Sequence, residues 1–402
     1  MPHPADEHTG ARIADYRKIR HLTQDGLAQR AFLSRGTIAK VEAGINPASP
    51  AVVAATARAL HLDVAVLYGQ PYISEMRQDE IDTLIMPLTE ALDLYDIDPD
   101  PDIHPRPLGV LEGASAELVT LFRATDYSAV GTRLPGLLGE LATALNVSQS
   151  SDDHRRTAAA LANTYWIANQ FAAKLGFPEL ASIALDRMGW VAAQAEDPLL
   201  QAVRLYSRSL AYVRRGRPEI GLKLVARGLA LVQQADRPSS VPALAVAGKL
   251  HLRGAFIAAR AKDQTRSAEF LALGTEAAER IGHDVPDIYW LSFGKTDVAQ
   301  YTVETQVDLG QMPEAVQSAR NIHFPAGHSP TRISRHFIDL GRAFAEMGRN
   351  EQALKALGRA RAASAQQVRY HPTARDVVGT LVRRQRRLSE ELTSLAVWVG
   401  MA

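Results

Sequence analysis

The chain of 402 residues has no cysteine. Disulfides, thiolate-held metals and cysteine nucleophiles are therefore excluded, and the composition suits a cytoplasmic protein that needs no oxidative stapling. An excess of charge of either sign is also missing. With 45 Lys and Arg against 44 Asp and Glu, the formal net charge is +1, so affinity for a polyanion has to come from a local patch. No apolar run approaches the roughly 20 residues of a membrane-spanning helix, and no membrane partner is expected. Met1–Gly10 is polar and acidic, without the apolar core or cleavage site of a signal peptide.

Enzyme signatures are absent in the same way. There is no HExxH metal helix, no phosphate-binding glycine loop of either common type and no GxSxG elbow. His251, His283, His323, His328, His336 and His371 are scattered without metal spacing, and the pair Glu390-Glu391 sits on a charged terminal segment. No catalytic residue, metal or cofactor is expected. The length is too great for one ordinary domain, which predicts two or more units.

The most specific stretch runs from Leu22-Thr23-Gln24 to Gly44. Thr23 and Ser34 can each accept a hydrogen bond from the free N–H groups of a following helix, giving two helix starts about 11 residues apart with a short turn between. Leu27, Ala28, Leu33, Ile38 and Val41 supply a small apolar interior, joined by Ile13 and Tyr16 from a preceding helix Ala11–Arg20. Ser49 before Pro50 starts a fourth helix, Pro50–Leu60, because proline at the first helical position lacks an N–H that would be unpaired anyway. Val64–Tyr68 gives a short fifth.

On Gly10, Ile13, Arg17, Leu22-Thr23-Gln24, Leu27-Ala28, Ser34, Ile38, Glu42, Gly44 and Ala57-x-Ala59-Leu60, residues 10–69 resemble the DNA-binding domain of the phage-repressor-like, or XRE, family of bacterial regulators. The resemblance implies a five-helix lambda-repressor-like domain whose second motif helix enters the major groove of operator DNA. It implies that Gln24, with Thr23 at the same helix start, meets a phosphate. It also implies that Arg35, Gly36, Thr37 and Lys40 face the groove, with Asn46 beside them. Arg35 can pair with guanine O6 and N7, and Lys40 can reach a base or a phosphate. Two positions depart from the family pattern: His21 and Phe32 stand where glycine is usual, and the turn at Phe32 is expected to be slightly rebuilt. Arg12, Arg17, Lys18, Arg20, Arg30, Arg35, Lys40 and Arg58 form a local basic patch, whereas Asp79–Asp102 is acidic. The run Arg383-Arg384-Gln385-Arg386-Arg387 is read as a solvated helix face or partner surface. The competing reading of 23–44 is an alanine-rich helical hairpin within a larger helical protein.

Beyond Tyr72 the sequence has almost no strand-like alternation. Ser74–Tyr95 predicts a linking helix strained by Pro87, and Asp98–Pro107, with four prolines, a stiff connection. The organisation expected is thus a DNA-binding domain at 10–69, a linker at 70–112 and a helical repeat domain at 113–400. Leu340-Gly341, Phe344, Gly348, Ala353, Leu357 and Ala360 match the tetratricopeptide pattern, in which small side chains let two antiparallel helices approach closely. The turn and the small residue five later recur at Gly310/Ala315, Asp263/Ala268, Gly216/Gly221 and Gly176/Ala181, with Asp126/Gly131 a degenerate copy and Thr373–Val399 a capping helix. Such hairpins stack into a superhelix with a concave face. The whole resembles regulators that join an XRE-type domain to a tetratricopeptide-like array, including peptide-sensing ones. The expected fold is all-α, ending in an α-solenoid.

Counting back from the turns by the offsets of the tetratricopeptide family puts Asn163, Trp166, Gln170, Tyr206, Arg214, Arg253, Arg260, Asp297, Gln300, Glu304, Arg335 and Arg342 on the concave face. Asn and Gln can pair both ways with a peptide backbone, Arg can clamp a carboxylate and Trp or Tyr offers a flat apolar contact, so a signalling peptide, small ligand or protein partner is expected there. The function expected is a homodimeric transcription regulator on an inverted-repeat operator. The alternative is an interaction scaffold with a vestigial helix-turn-helix; an unrecognised hydrolase would need an acid/base constellation assembled by the fold.

Overall fold

The computed structural model describes residues 9–20, 22–46, 48–62, 67, 78–95, 102–124, 126–214, 216–325, 327–384 and 389–399. The chain divides into two compact units, Met1–Ile81 and Asp82–Ala402.

In the first unit, α1 (Thr9–Ile19), α2 (Gln24–Ala31), α3 (Arg35–Glu42) and α4 (Pro50–Leu60) start where their caps stand. Thr23 Oγ1 accepts from the Gly26 N–H, Ser34 Oγ from Thr37 N–H and Ser49 Oγ from Val52 N–H. Each bond satisfies one of the donors that a helix start leaves open. Ile13, Leu27, Ala28, Ile38, Val41, Val53 and Leu60 meet in one buried core. The fifth helix expected at Val64–Tyr68 lies, apart from the buried Leu67, outside the described residues, as does His21. At Phe32 the expectation of a rebuilt turn is corrected. Phe32 ends α2 in the left-handed conformation (φ 55°, ψ 40°), and Leu33 N–H returns to Ala28 C=O at 2.9 Å. This is the bonding of a glycine-ended helix made with a phenylalanine, because the next residues must reverse to let α3 cross α2.

Among the described residues, the second unit is built of helices and one short hairpin. Helix α5 (Gln78–Asp93), most of which lies in the second unit, contains Pro87 as expected, and its C-terminal end is docked rather than free-standing: Arg187 Nε donates to Leu92 C=O and its guanidinium covers the Tyr95 ring. Next come α6 (Leu108–Arg123) and α7 (Tyr127–Val147), then five antiparallel pairs. These are α8 (Ser151–Leu175) with α9 (Pro178–Gln194), α10 (Pro198–Arg214) with α11 (Pro218–Val232), α12 (Val241–Arg260) with α13 (Gln264–Ile281), α14 (Lys295–Leu309) with α15 (Met312–Ala319), and α16 (Pro330–Glu346) with α17 (Asn350–Ala363). Gly348, at φ 75°, reverses the chain between the last two, and the other three glycine turns named above do the same. In the α12/α13 pair Lys262 takes the left-handed role at φ 61°, and Asp263 caps the second helix. The single terminal helix expected at Thr373–Val399 is instead two, α19 (Pro372–Arg384) and α20 (Glu390–Trp398), after a short α18 (Ala365–Tyr370).

Two features depart from the sequence expectation. Val285–Ile288 (β1) and Leu291–Phe293 (β2) form an antiparallel hairpin between the third and fourth pairs. Its base is seated because residue 248 is glycine: a Cβ there would come within 2.0 Å of the Phe293 ring. In addition, α12 is long and apolar enough by composition to cross a membrane. In this fold it is a core helix with Lys249 and Arg253 buried among its neighbours.

Candidate nucleic-acid interface and the strip of inner helices

The interface residues are set by what lies beneath them. Ile38 and Val41 turn one side of α3 into the core, which leaves Arg35, Gly36 and Lys40 exposed on the opposite side. Thr37 is half-buried, and its hydroxyl is 2.8 Å from Ser34 Oγ, so it locks the start of α3 as well as facing outward. Asn46 is exposed just after the helix, its N–H donating to Lys40 C=O at 3.2 Å.

The other end of α3 is braced by a network that the family pattern does not reveal as such. Arg17 donates to both oxygens of Glu42 at 2.7 and 2.8 Å and to Leu22 C=O at 2.8 Å. Gln24 Nε2 donates to the same Glu42 at 2.9 Å. Arg17 thus ties α1 to α3, and Gln24 ties α2 to α3. Hydrogen bonding to Glu42 lifts the Arg17 guanidinium above its ordinary range, although burial works against it. Arg17 is therefore a brace, as is Arg12, whose Nε donates to Leu67 C=O. The solvent-facing part of the basic patch is Lys18, Arg20, Arg30, Arg35, Lys40 and Arg58. Gln24 has its amide N–H on Glu42, so what it can offer a phosphate is the backbone N–H at the first turn of α2, a natural anion donor. Thr23 Oγ1 is likewise held by its cap.

In the second unit the residues expected to line a common groove fall into two groups. Asn163 is buried, and its Nδ2 donates to Ser115 Oγ at 2.8 Å, fastening α8 to α6. Gln170 donates to Asn169 Oδ1. Trp166 is only 8% exposed, with its ring 5.6 Å from that of Trp290 at the hairpin tip and its Nε1–H on Ser207 Oγ. Each of these three side chains thus makes a bond within the protein, while Asn163 Oδ1 is buried without a partner. A substitution at Asn163 would break this buried bond and so act on the packing of α8 against α6.

The remaining residues lie together on a strip across α10, α12, α14 and α16. Tyr206 OH is 3.2 Å from Tyr301 OH, and the Arg253 guanidinium covers the Tyr206 ring at 4.3 Å. Asp297 Oδ1 receives Lys249 Nζ at 2.5 Å and Arg332 Nη2 at 3.2 Å. Gln300 Nε2 donates to Arg332 C=O, while its Oε1 meets His328 Nε2. Arg335 bridges Glu304 at 3.1 Å and Asp339 at 3.0 Å. Asp308 holds Arg260 at 3.0 Å and Arg342 at 3.2 Å. Burial, reinforced by Glu304 and Asp308, pushes the Asp339 carboxyl up to about 7 although Arg335 pulls it down. The side chain of Arg214 lies outside the described residues. The sequence reading missed Lys249, Tyr301, Arg332, Asp308 and Asp339. Lys249 had a signal, an ammonium four residues before Arg253 in a helix whose other polar side chains are His251 and Arg260.

Comparison with known proteins bears on the first unit. Residues 8–67 match the family model of a helix-turn-helix domain. The N-terminal unit is a helix-turn-helix domain. None of the curated proteins compared with the chain matches it. Among solved structures, the chain is similar to Bacillus thuringiensis PlcR in complex with the peptide PapR7 and DNA, at 12% identity and a TM-score of 0.30, over 90% of this chain and 96% of that one. An overlap that slight says nothing about individual residues. The helix-turn-helix domain presents α3 with one face packed and one exposed, and a mainly helical repeat unit follows it.

Proposed function

We propose that the protein is a sequence-specific DNA-binding transcription regulator. In this reading 10–69 is the DNA-binding domain, 70–112 joins it to the repeats, and 113–400 dimerises and receives a peptide, small ligand or protein partner. The observation that carries it is the outward side of α3, where Arg35, Gly36 and Lys40 are exposed on a helix held from behind by Ile38, Val41 and the Arg17–Glu42–Gln24 brace. A helix seated this way can enter the major groove. Arg35 at its first position reads base edges, Gly36 admits close approach, and Lys40 and Asn46 reach bases or phosphates. Free N–H groups at the start of α2 position the backbone of the DNA. One such head is a small interface for high specificity, so two copies act together on an inverted repeat with half-sites spaced by whole helical turns. A regulator of this kind works in the cytoplasm.

Mapping the genomic DNA bound by the full chain, then measuring affinity for the recovered site over a salt series, tests the proposal. Specific binding that weakens with salt and exceeds binding to random DNA supports it. Equal, weak binding to all DNA would leave a helical scaffold with an idle first domain.

A further inference from the structure

The strip across α10, α12, α14 and α16 holds more positive charge than it can neutralise. Lys249 and Arg332 share a single carboxylate, Asp297. Arg253, 8% exposed, has no ion-pair partner among the described residues; it covers the Tyr206 ring, and its Nε lacks a hydrogen-bond acceptor. Arg332 Nε lacks one too. Glu304, the next carboxylate on α14, is held by Arg335. Burial lowers the pKa of His328, with Arg332 and Lys249 acting the same way and Asp297 opposing them, so its charged form is disfavoured. Of these three cations, two buried and one half-buried, only Lys249 and Arg332 touch a carboxylate, and they share it. Glu304 acts on Arg253 and Arg332 from farther off while held by Arg335. This is a costly arrangement unless a further negative group completes it. The cluster is reachable, because Arg332 keeps 25% of its side chain accessible while Lys249 and Asp297 lie beneath with 4% and 3%.

We infer that Lys249, Arg253 and Arg332, with the phenols of Tyr206 and Tyr301, form a binding site for the oxyanion of a small ligand, a carboxylate or a phosphate. Arginine supplies the fork that grips two oxygens, lysine a point charge, and the phenol pair the one O–H that its own hydrogen bond leaves over. The electrostatics of Tyr301 agree. Burial works to raise its phenol, yet Arg253, Arg332 and Lys249 together bring it down to about 8, against a smaller opposing push from Glu304. An arriving anion cancels that pull.

The inference deepens the signal-receiving role proposed for the repeats, and its test needs no DNA, so its failure is separate from a failure of operator binding. The full chain is titrated with N-acetylalanine, its neutral amide and inorganic phosphate at matched ionic strength. Thermal unfolding and tyrosinate absorbance against pH are the two readings, with Tyr301→Phe identifying the phenol. The expected result is a saturable rise in unfolding temperature with one or both anions and none with the amide. With it the Tyr301 midpoint moves from about 8 toward the ordinary 10.0. A response to N-acetylalanine alone points to a carboxylate ligand, and one to phosphate alone to a phosphorylated ligand. Arg253→Met, which keeps length and removes charge, is expected to fold with unchanged or higher stability and to lose the anion response. No saturable response to either anion in the wild type overturns the inference whatever the variant does. So does a Tyr301 midpoint near 8 that no anion moves, for the phenolate would then be the counter-charge.

Discussion

Arg17 and Glu42 are exposed by only 11% and 5% in their side chains, so their bidentate pair is close to a buried one. Breaking such a pair leaves an uncompensated charge, and Arg17→Ala should destabilise the first unit by about 3 kcal/mol. The readout is faster amide hydrogen exchange across α2 and α3, and unchanged exchange would show the brace to be idle. Phe32 is 94% exposed at φ 55°, so it has the strain of a left-handed residue with little burial to offset it. Phe32→Gly should therefore stabilise the unit by roughly 1 kcal/mol and Phe32→Val weaken it, read by the same exchange. At Asp339 the sign follows from its raised pKa. The folded state holds a proton there that the unfolded chain releases above pH 3.8, so this contribution is complete below that pH and is lost as pH rises through about 7. Asp339→Asn should remove a downward slope of up to about 1.4 kcal/mol per pH unit from the stability curve between those values. An identical slope in the variant would place the effect elsewhere.

Among the elements, those with a local cause were legible in the sequence. Thr23, Ser34 and Ser49–Pro50 start helices by their own chemistry, and Gly176, Gly216, Gly310 and Gly348 stop them because the left-handed turn suits glycine. The hairpin at 285–293 was not legible. Tyr289 and Trp290 occupy its turn at φ 46° and 65°, where Asn-Gly is the usual signal, and Pro286 lies inside its first strand. What holds it is distant: Trp290 on Trp166, Tyr289 OH on Asp197 Oδ2 at 2.6 Å, and Arg123 on Asp287 and the Trp290 carbonyl. Replacing Tyr289-Trp290 with Asn-Gly thus improves the turn and removes the packing. The packing should prevail, with a net loss of roughly 2 kcal/mol in thermal or urea unfolding. A gain in stability would mean the turn sets the hairpin.

Across the whole chain, the pairing of the polar strip was hidden because it is a property of the stack. Lys249–Asp297 and Arg260–Asp308 both span 48 residues, while Asp297–Arg332 and Asp308–Arg342 span 35 and 34. These offsets join neighbouring first helices. Counting from the turns brought Arg253, Asp297, Gln300, Arg335 and Arg342 to one strip, but it could not say that they would bond to one another. Asn163 went astray for the same reason, since its partner Ser115 lies on a helix outside the regular pairs. The central claim, that α3 reads DNA, is tested most directly by the affinity of the full chain for its recovered genomic site, wild type against Arg35→Ala/Lys40→Ala, at one fixed salt concentration. At about 1–3 kcal/mol for each good contact, the double variant should bind at least about tenfold more weakly, with unchanged unfolding temperature. Equal affinity in the two proteins would contradict the account.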